Sequence, residues 1–385
     1  MNKTTHKIVY CTPALYMAGG EERILSLKAS YFADQLGYDV TIILTEGANH
    51  PLFYPLSDKI KVINLNINFE ELWTCSFFKK VWVYLKKQKK YKRKLTVELM
   101  RIRPEITISM MRREINFITD IDDGSIKIGE IHVNRAHFRN FEATDSNFVK
   151  CIFSYYWQRD LLRHVKRLHK FVVLTDDDRR SWPELNNVVT IPDMLSFEPK
   201  LISPMTEKRI LAVGRYCYQK GFDLLLQAWA SIEQKVPGWR LDIYGDGDRR
   251  PYQKLIDELK IDHSRCSLNS RTSDIEREYA NSSMFVLSSR FEGFGLVIVE
   301  AMSCGLPVVS FNCKFGPGSI IKDEDDGLLV EKGNVKELSK AILRLANDDE
   351  LRMALAHNAK LSVSRFSKEN VAEMWQKLFD SIVQE

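Results

Sequence analysis

The run Arg290-Phe291-Glu292-Gly293-Phe294-Gly295-Leu296-Val297-Ile298-Val299-Glu300-Ala301-Met302 holds two carboxylates eight positions apart, with two glycines close behind the first. Gly293 and Gly295 predict a turn, and Leu296 to Met302 predict the opening of a buried helix. Glu292 then lies on the loop ahead of that helix and Glu300 within it. Eight helical steps rise about 12 Å, which suits the two ends of an extended ligand better than one small reacting centre. Between them, the glycine turn and the helix N-terminus offer free N–H groups and a positive dipole end, a seat for phosphate.

Outward from this run, the second half of the chain alternates short apolar strands with helical stretches. Strand Met284–Leu287 feeds the run itself, and Pro307–Ser310 leads on to Gly316-Pro317-Gly318-Ser319. Earlier, strand Arg209–Val213 runs into Gly214-Arg215-Tyr216-Cys217-Tyr218-Gln219-Lys220-Gly221, and Arg240–Tyr244 into Gly245-Asp246-Gly247-Asp248. All four loops fall at carboxyl ends of strands and can face one crevice. Arg215 and Lys220 put a planar guanidinium and a point charge on one glycine-flanked loop, a combination suited to a diphosphate. The alternative is two solvated surface cations. Asp246 and Asp248 form a D-x-D, for which turn and capping duty suffices, so no metal is assigned. Hydroxyl-binding carboxylates at two ends and cations in the middle describe a sugar nucleotide.

The first half shows the same alternation, the pattern of a parallel sheet covered by helices. Lys7–Cys11 is its first strand, followed by Gly19-Gly20 and a helix to about residue 36, closed by Gly37. Asp39–Thr45, Lys61–Leu65, Ile106–Ser109, Lys127–Ile131 and Lys170–Leu174 are further strands. Gly19-Gly20 opens a helix as nucleotide-binding loops do, or is a plain tight turn. No full G-x-G-x-x-G accompanies it, which counts against a dinucleotide. His132 follows a strand, at the edge where open α/β sheets bind ligands, and reads equally as catalytic or structural. Asp176-Asp177-Asp178 follows Thr175 and is explained as the capped first turn of a helix. Ile191-Pro192-Asp193-Met194 through Pro199 and Pro204 is the expected linker.

The 385 residues carry a net charge of +5, and residues 73–94 hold nine Lys/Arg with no Asp/Glu, so the rest of the chain is net acidic. Such a local patch argues against a nucleic-acid groove spread over a domain. On a helical wheel Phe77, Phe78, Val81, Trp82 and Leu85 fall in one arc of about 140°, with Lys79, Lys80, Lys86, Lys87 and Lys90 opposite. A basic helix with Trp and Phe on its apolar side suits an anionic membrane surface. The other reading packs Phe77, Val81 and Leu85 into the domain. Seven scattered cysteines without a C-x-x-C pair fit a reducing cytosol. The N-terminal apolar run is too short for a signal peptide, and no stretch of eighteen apolar residues spans a bilayer.

Together, Gly214-Arg215, Lys220-Gly221, Ile243-Tyr244-Gly245-Asp246-Gly247, Ser289 to Gly295 and Glu300-Ala301-Met302-Ser303-Cys304-Gly305-Leu306-Pro307-Val308-Val309 resemble glycosyltransferase family 4, the "glycosyl transferases group 1" domain. The resemblance is dense from about 170 to 365 and looser before. It implies an α/β GT-B fold: two Rossmann-like domains facing across a cleft, over 1–195 and 200–368, with 369–385 crossing back to the first. It implies a retaining, metal-independent hexosyltransferase that needs no cofactor, the nucleotide sugar being a substrate. Arg215 and Lys220 would bind the diphosphate, Glu292 the donor sugar and Glu300 the ribose. The backbone of Gly214, Gly293, Phe294 and Gly295 would approach the donor, Gly19 and Gly20 would close on phosphate, and His132 would lie near the sugar. The expected acceptor is a lipid-linked saccharide of bacterial surface-polysaccharide or lipopolysaccharide synthesis. The enzyme would then be cytoplasmic, peripheral at the inner face of the plasma membrane through residues 73–94. A soluble acceptor, or a non-catalytic sugar-nucleotide-binding scaffold, are the alternatives. Two positions depart from the family pattern: Ser319 stands where a carboxylate is usual, and Asp193 where Asn is commoner.

Overall fold

The computed structural model describes residues 5–74, 77–135, 138 and 148–384, with 73–74, 77–79 and 148–155 described by their backbone. The chain divides into two compact units, residues 1–194 with 368–385, and residues 195–367.

Unit 1 is built on seven parallel strands in the order β3-β2-β1-β4-β5-β6-β7. They are β1 Lys7–Thr12, β2 Asp39–Leu44, β3 Lys61–Asn64, β4 Ile106–Ser109, β5 Ile126–Glu130, β6 Lys170–Val173 and β7 Val188–Thr190. Successive side chains of a strand point to opposite faces, and here each face has its own apolar layer. Ile8, Tyr10, Val40, Ile42, Ile106 and Ile108 belong to one. Val9, Cys11, Ile43, Phe171 and Val173 belong to the other. The first layer is completed from the far end of the chain. The helix Lys368–Gln384 contributes Val371, Trp375, Phe379 and Ile382 to it. Trp375 is 1% exposed, and the ammonium of Lys28 lies 4.3 Å from its ring centre.

Unit 2 has six parallel strands in the order β10-β9-β8-β11-β12-β13: β8 Arg209–Val213, β9 Arg240–Tyr244, β10 Cys266–Asn269, β11 Met284–Leu287, β12 Val308–Asn312 and β13 Leu328–Glu331. β8 pairs directly with β11, although two other strands' worth of chain lies between them in sequence. The order therefore reverses at this pair, the position in an open α/β sheet at which ligands bind beyond the carboxyl ends of the strands.

Three strands were invisible to the pattern reading: β7, β10 and β13. Each is a sheet edge. β10, Cys266-Ser267-Leu268-Asn269, lacks the continuous apolar run that marks a central parallel strand, while β7 and β13 are runs of only three and four residues.

The helix Phe77–Ile102 also departs from expectation. Its core-facing stripe is Tyr91, Leu95 and Leu99, one turn and more beyond the expected arc. Val81, Trp82 and Leu85 are instead 47%, 64% and 56% exposed. Lys87, expected on the solvated face, is only 12% exposed. Its ammonium donates to the carbonyls of Ile67 and Asn68 at 2.6 and 2.7 Å and to Glu71 at 2.8 Å. Lys94 likewise donates to Leu65 O at 2.6 Å. These two lysines tie down the turn after β3, and only part of the basic run is free. Phe77, Phe78 and Lys79 lie outside the residues whose side chains are described.

Replacing Trp375 by alanine should destabilise unit 1 by about 3–5 kcal/mol, the cost of emptying a fully packed indole site. A lower urea midpoint by circular dichroism checks this; an unchanged midpoint would show the terminal helix to be dispensable.

Candidate functional site in unit 2

The two loops at the β8/β11 reversal meet through a sequence of forced close approaches. Gly245, after β9, has no side chain because a Cβ there would lie 1.7 Å from the carbonyl oxygen of Gly214. At Gly214 a Cβ would fall 2.9–3.0 Å from three carbons of the Lys220 side chain. The bare backbone of residue 214 is thus the bed on which the Lys220 stem lies. Gly221, at φ 62°, approaches the β11 loop so closely that a Cβ would meet Ser288 O at 2.1 Å. These contacts bring the Lys220 ammonium to 2.6 Å from Glu292 Oε1, both side chains being largely buried. Ser289 Oγ donates to the same carboxylate oxygen at 2.6 Å. Arg215, on the same loop as Lys220, is exposed and makes no ion pair with a described residue.

Beyond Glu292 the chain turns through Gly293-Phe294-Gly295, with Gly295 at φ 108°, into the helix Leu296–Ser303. None of the backbone N–H groups from Gly293 to Val297 donates to a described protein group. That makes five successive donors at a helix start, the electrostatic setting for an anion. The Phe294 side chain is buried and packs edge-on against Phe366, with centroids 5.4 Å apart. Only its backbone faces the loop. Gly316, at φ 92°, lies on this turn, since a Cβ there would sit 2.2 Å from Phe294 O; this carries Ser319 to the same loop cluster.

Glu300 is the fifth residue of its helix and 2% exposed. Its carboxylate accepts from Tyr279 Oη at 2.9 Å and from Ser196 Oγ. Because the helix begins only at Leu296, just four of the eight steps separating the two glutamates are helical. Reading the whole separation as helical rise was therefore incorrect, for the glycine turn occupies the first half. The D-x-D carboxylates face arginines: Asp246 lies 3.6 Å from Arg271, and Asp248 makes a two-pronged pair with Arg250 at 2.8 and 2.7 Å.

This set of loops decides the family together with two comparisons. The family described as "Glycosyl transferases group 1" matches residues 194–362. An uncharacterized glycosyltransferase of Haemophilus influenzae is 30% identical over 364 residues, spanning 93% of this chain and 96% of its own length. The chain belongs to the group 1 glycosyltransferases. A poly(ribitol-phosphate) alpha-N-acetylglucosaminyltransferase of Staphylococcus aureus is 28% identical over 260 residues, or 66% of this chain and 51% of that one. A crystal structure of Staphylococcus aureus TarM, solved with UDP, fondaparinux and alpha-GlcNAc-glycerol, superposes with a TM-score of 0.76 at 18% identity. It covers 97% of this chain and 100% of that chain. The fold is GT-B.

The remaining sequence-derived site residues of this glycosyltransferase belong to unit 1. Gly19, at φ −93°, caps the helix Gly20–Tyr31, and its missing side chain leaves room for the Glu22 carboxylate. His132 follows β5 and is gripped on both sides: Nε2 lies 3.0 Å from Glu130 Oε1 and Nδ1 3.1 Å from Asp193 Oδ1. Burial opposes the imidazolium, but Asp193 and Glu130 outweigh it and raise its pKa to about 10. Burial likewise opposes the Glu130 carboxylate, yet the Lys28 ammonium and His132 hold its pKa down at about 2. Lys28, Glu130, His132 and Asp193 thus form a row of alternating charges. His132 is a fixed cation with both N–H groups committed, which suits electrostatic stabilisation and not proton abstraction. Only Asp193 of this row was noted in the sequence beside His132, as a departure from Asn. Lys28 carried no signal, being one cation in an ordinary helix. The three aspartates 176–178 disperse to Thr190, Arg180 and Ser181 respectively.

A histidine whose folded pKa is raised adds stability that is complete below its unfolded value of about 6.5 and is lost as pH rises through the folded value, about 10. The thermal midpoint should therefore decline across that alkaline window, and His132→Gln should flatten the decline. Equal slopes in the two proteins would refute the clamp.

Proposed function

We propose that this glycosyltransferase transfers a hexose or N-acetylhexosamine, with retention, from a UDP-sugar to a lipid-linked saccharide during bacterial surface-polysaccharide synthesis. The observation that carries this reading is the Lys220–Glu292 pair beside the open amides of Gly293 to Val297. A sugar bearing hydroxyls beside a diphosphate fits that pairing of carboxylate and cation. Lys220, Arg215 and the amides meet the diphosphate, and they gain most as the leaving group accumulates charge. This electrostatic work needs no metal ion. Glu292 accepts from sugar hydroxyls. The Glu300 carboxylate takes the ribose, whose hydroxyls replace that of Ser196.

In the step itself, the acceptor oxygen bonds to the anomeric carbon on the face from which the diphosphate departs. A phosphate oxygen of the leaving UDP takes the hydroxyl proton, so glycoside and UDP are the products. A double displacement would need a free carboxylate against the reacting carbon, and Glu292 is already committed to Lys220 and Ser289. UDP is supported by the TarM complex, and a polymer acceptor by the poly(ribitol-phosphate) alpha-N-acetylglucosaminyltransferase of Staphylococcus aureus.

Attachment to the inner face of the plasma membrane is supported by the helix Phe77–Ile102. Its exposed Val81, Trp82 and Leu85 adjoin the exposed Lys80, Lys86, Lys89 and Lys90. Indole and aliphatic groups enter the interface while ammonium groups meet anionic headgroups. No helix among the described residues is long and apolar enough to cross a membrane.

A thermal-shift panel of nucleotide sugars should show stabilisation by a UDP-sugar, because a ligand of the native state raises apparent stability by mass action. Lys220→Ala should lower transfer from that donor by about 100-fold; full activity would remove Lys220 from the site. For the membrane, sedimentation with phosphatidylglycerol vesicles should bind the wild-type chain and lose it in Lys80→Glu/Lys86→Glu/Lys89→Glu and in Trp82→Ala. Unchanged binding would move the acceptor into solution.

A further inference from the structure

Lys220 sits at the end of a three-residue turn, Tyr218–Lys220, and the turn has little of its own to hold it. Its one internal backbone bond is Lys220 N–H to Cys217 O at 3.1 Å, and Tyr218 is 73% exposed. So short a turn would leave a long, flexible side chain poorly placed. Its position is imposed from the loop after β11, and above all by Arg290.

The Arg290 backbone N–H donates to Gln219 O at 2.8 Å. One guanidinium nitrogen donates to Tyr218 O at 2.8 Å and to Asp223 Oδ1 at 2.8 Å. The other donates to Asp223 Oδ2 at 2.6 Å. The guanidinium carbon also lies 4.1 Å from the Tyr218 ring centre. Arg290 therefore holds the chain on both sides of Lys220, two residues before it and three residues after it. Two further bonds lace the same loops: Gln219 Nε2–H to Phe291 O at 3.1 Å and Ser288 Oγ–H to Lys220 O at 2.9 Å. Burial of Asp223 opposes its charge, but the hydrogen bonds and charge of Arg290 keep its carboxyl below the usual range, so the pair is ionised throughout the neutral region.

We propose that Arg290 and Asp223 are positioning residues that set the Lys220 ammonium against Glu292. The affinity for the donor diphosphate is then governed by an arginine that acts through Lys220. Lysine cannot replace it, since a single ammonium cannot engage both oxygens of Asp223 and stack on Tyr218 together.

The inference rests on the reading of this site as a UDP-sugar site, and the test separates the two. UDP binding is measured by calorimetry for the wild type, Lys220→Ala, Arg290→Ala, Arg290→Lys, Asp223→Asn and the Lys220→Ala/Arg290→Ala double variant. Arg290→Ala and Asp223→Asn should each weaken binding about tenfold, the loss of one well-placed charged contact. Arg290→Lys should not restore it, and the double variant should bind no worse than Lys220→Ala alone. Losses that multiply in the double variant would overturn the proposal, as would wild-type affinity in Arg290→Ala. A second readout needs no nucleotide. Lys220, held by Glu292, should react slowly with an amine-labelling reagent followed by mass spectrometry, and Arg290→Ala or Asp223→Asn should accelerate it. If the wild type fails to bind UDP, the donor reading falls. The labelling rates still decide the positioning, and unchanged rates would overturn it. Asp223→Asn preserves shape and serves if Arg290→Ala does not fold.

Discussion

A lysine ammonium and a glutamate carboxylate 2.6 Å apart, both withdrawn from water, are the point on which unit 2 converges. Such a pair contributes little net stability, because desolvating two charges offsets their attraction. What it specifies is geometry. Every close approach around it exists so that these groups meet: Gly245 against Gly214, Gly214 beneath the Lys220 stem, Gly221 against Ser288. The strand reversal sets the loops after β8 and β11 side by side, and the glycines let them approach without collision.

Much of this was legible in the sequence because the needed residues are chemically extreme. A glycine beside a cation at a strand end, or a carboxylate before a glycine turn, stands out from its surroundings, and the structure brings Lys220 and Glu292 together. The central strands were equally plain, for burial on both faces forces an unbroken apolar run. Hidden from view were relations between distant residues. Nothing along the chain pairs Arg290 with Asp223, or Lys28 with Glu130, since the sheet order brings them together and periodicity does not encode that order. The helix Phe77–Ile102 shows the same limit. Its amphipathic wheel was evident, yet which part of the wheel meets the core depended on where the helix crosses the sheet.

The two units use charge in different ways. In unit 2 the two cations of the β8 loop are graded, with Lys220 restrained by Glu292 and Arg215 exposed. In unit 1 the cation just beyond the carboxyl end of β5, His132, is locked between two carboxylates, with Lys28 behind. Alternating signs let four ionised groups share a dry interior at neutral net charge. The row reaches Asp193, next to the last residue of the unit before the chain passes on.

Trp375 and its helix have a consequence for the order in which the protein can be made. Synthesis proceeds from the N-terminus, so unit 2 is complete before the helix Lys368–Gln384 exists. Until that helix emerges, one apolar face of the first unit, with Lys28 beside it, is covered only in part, by the helix Gly20–Tyr31. The half of the molecule that is translated first is consequently the half that matures last. For that interval it presents bare hydrophobic surface, the condition under which nascent chains recruit chaperones or aggregate.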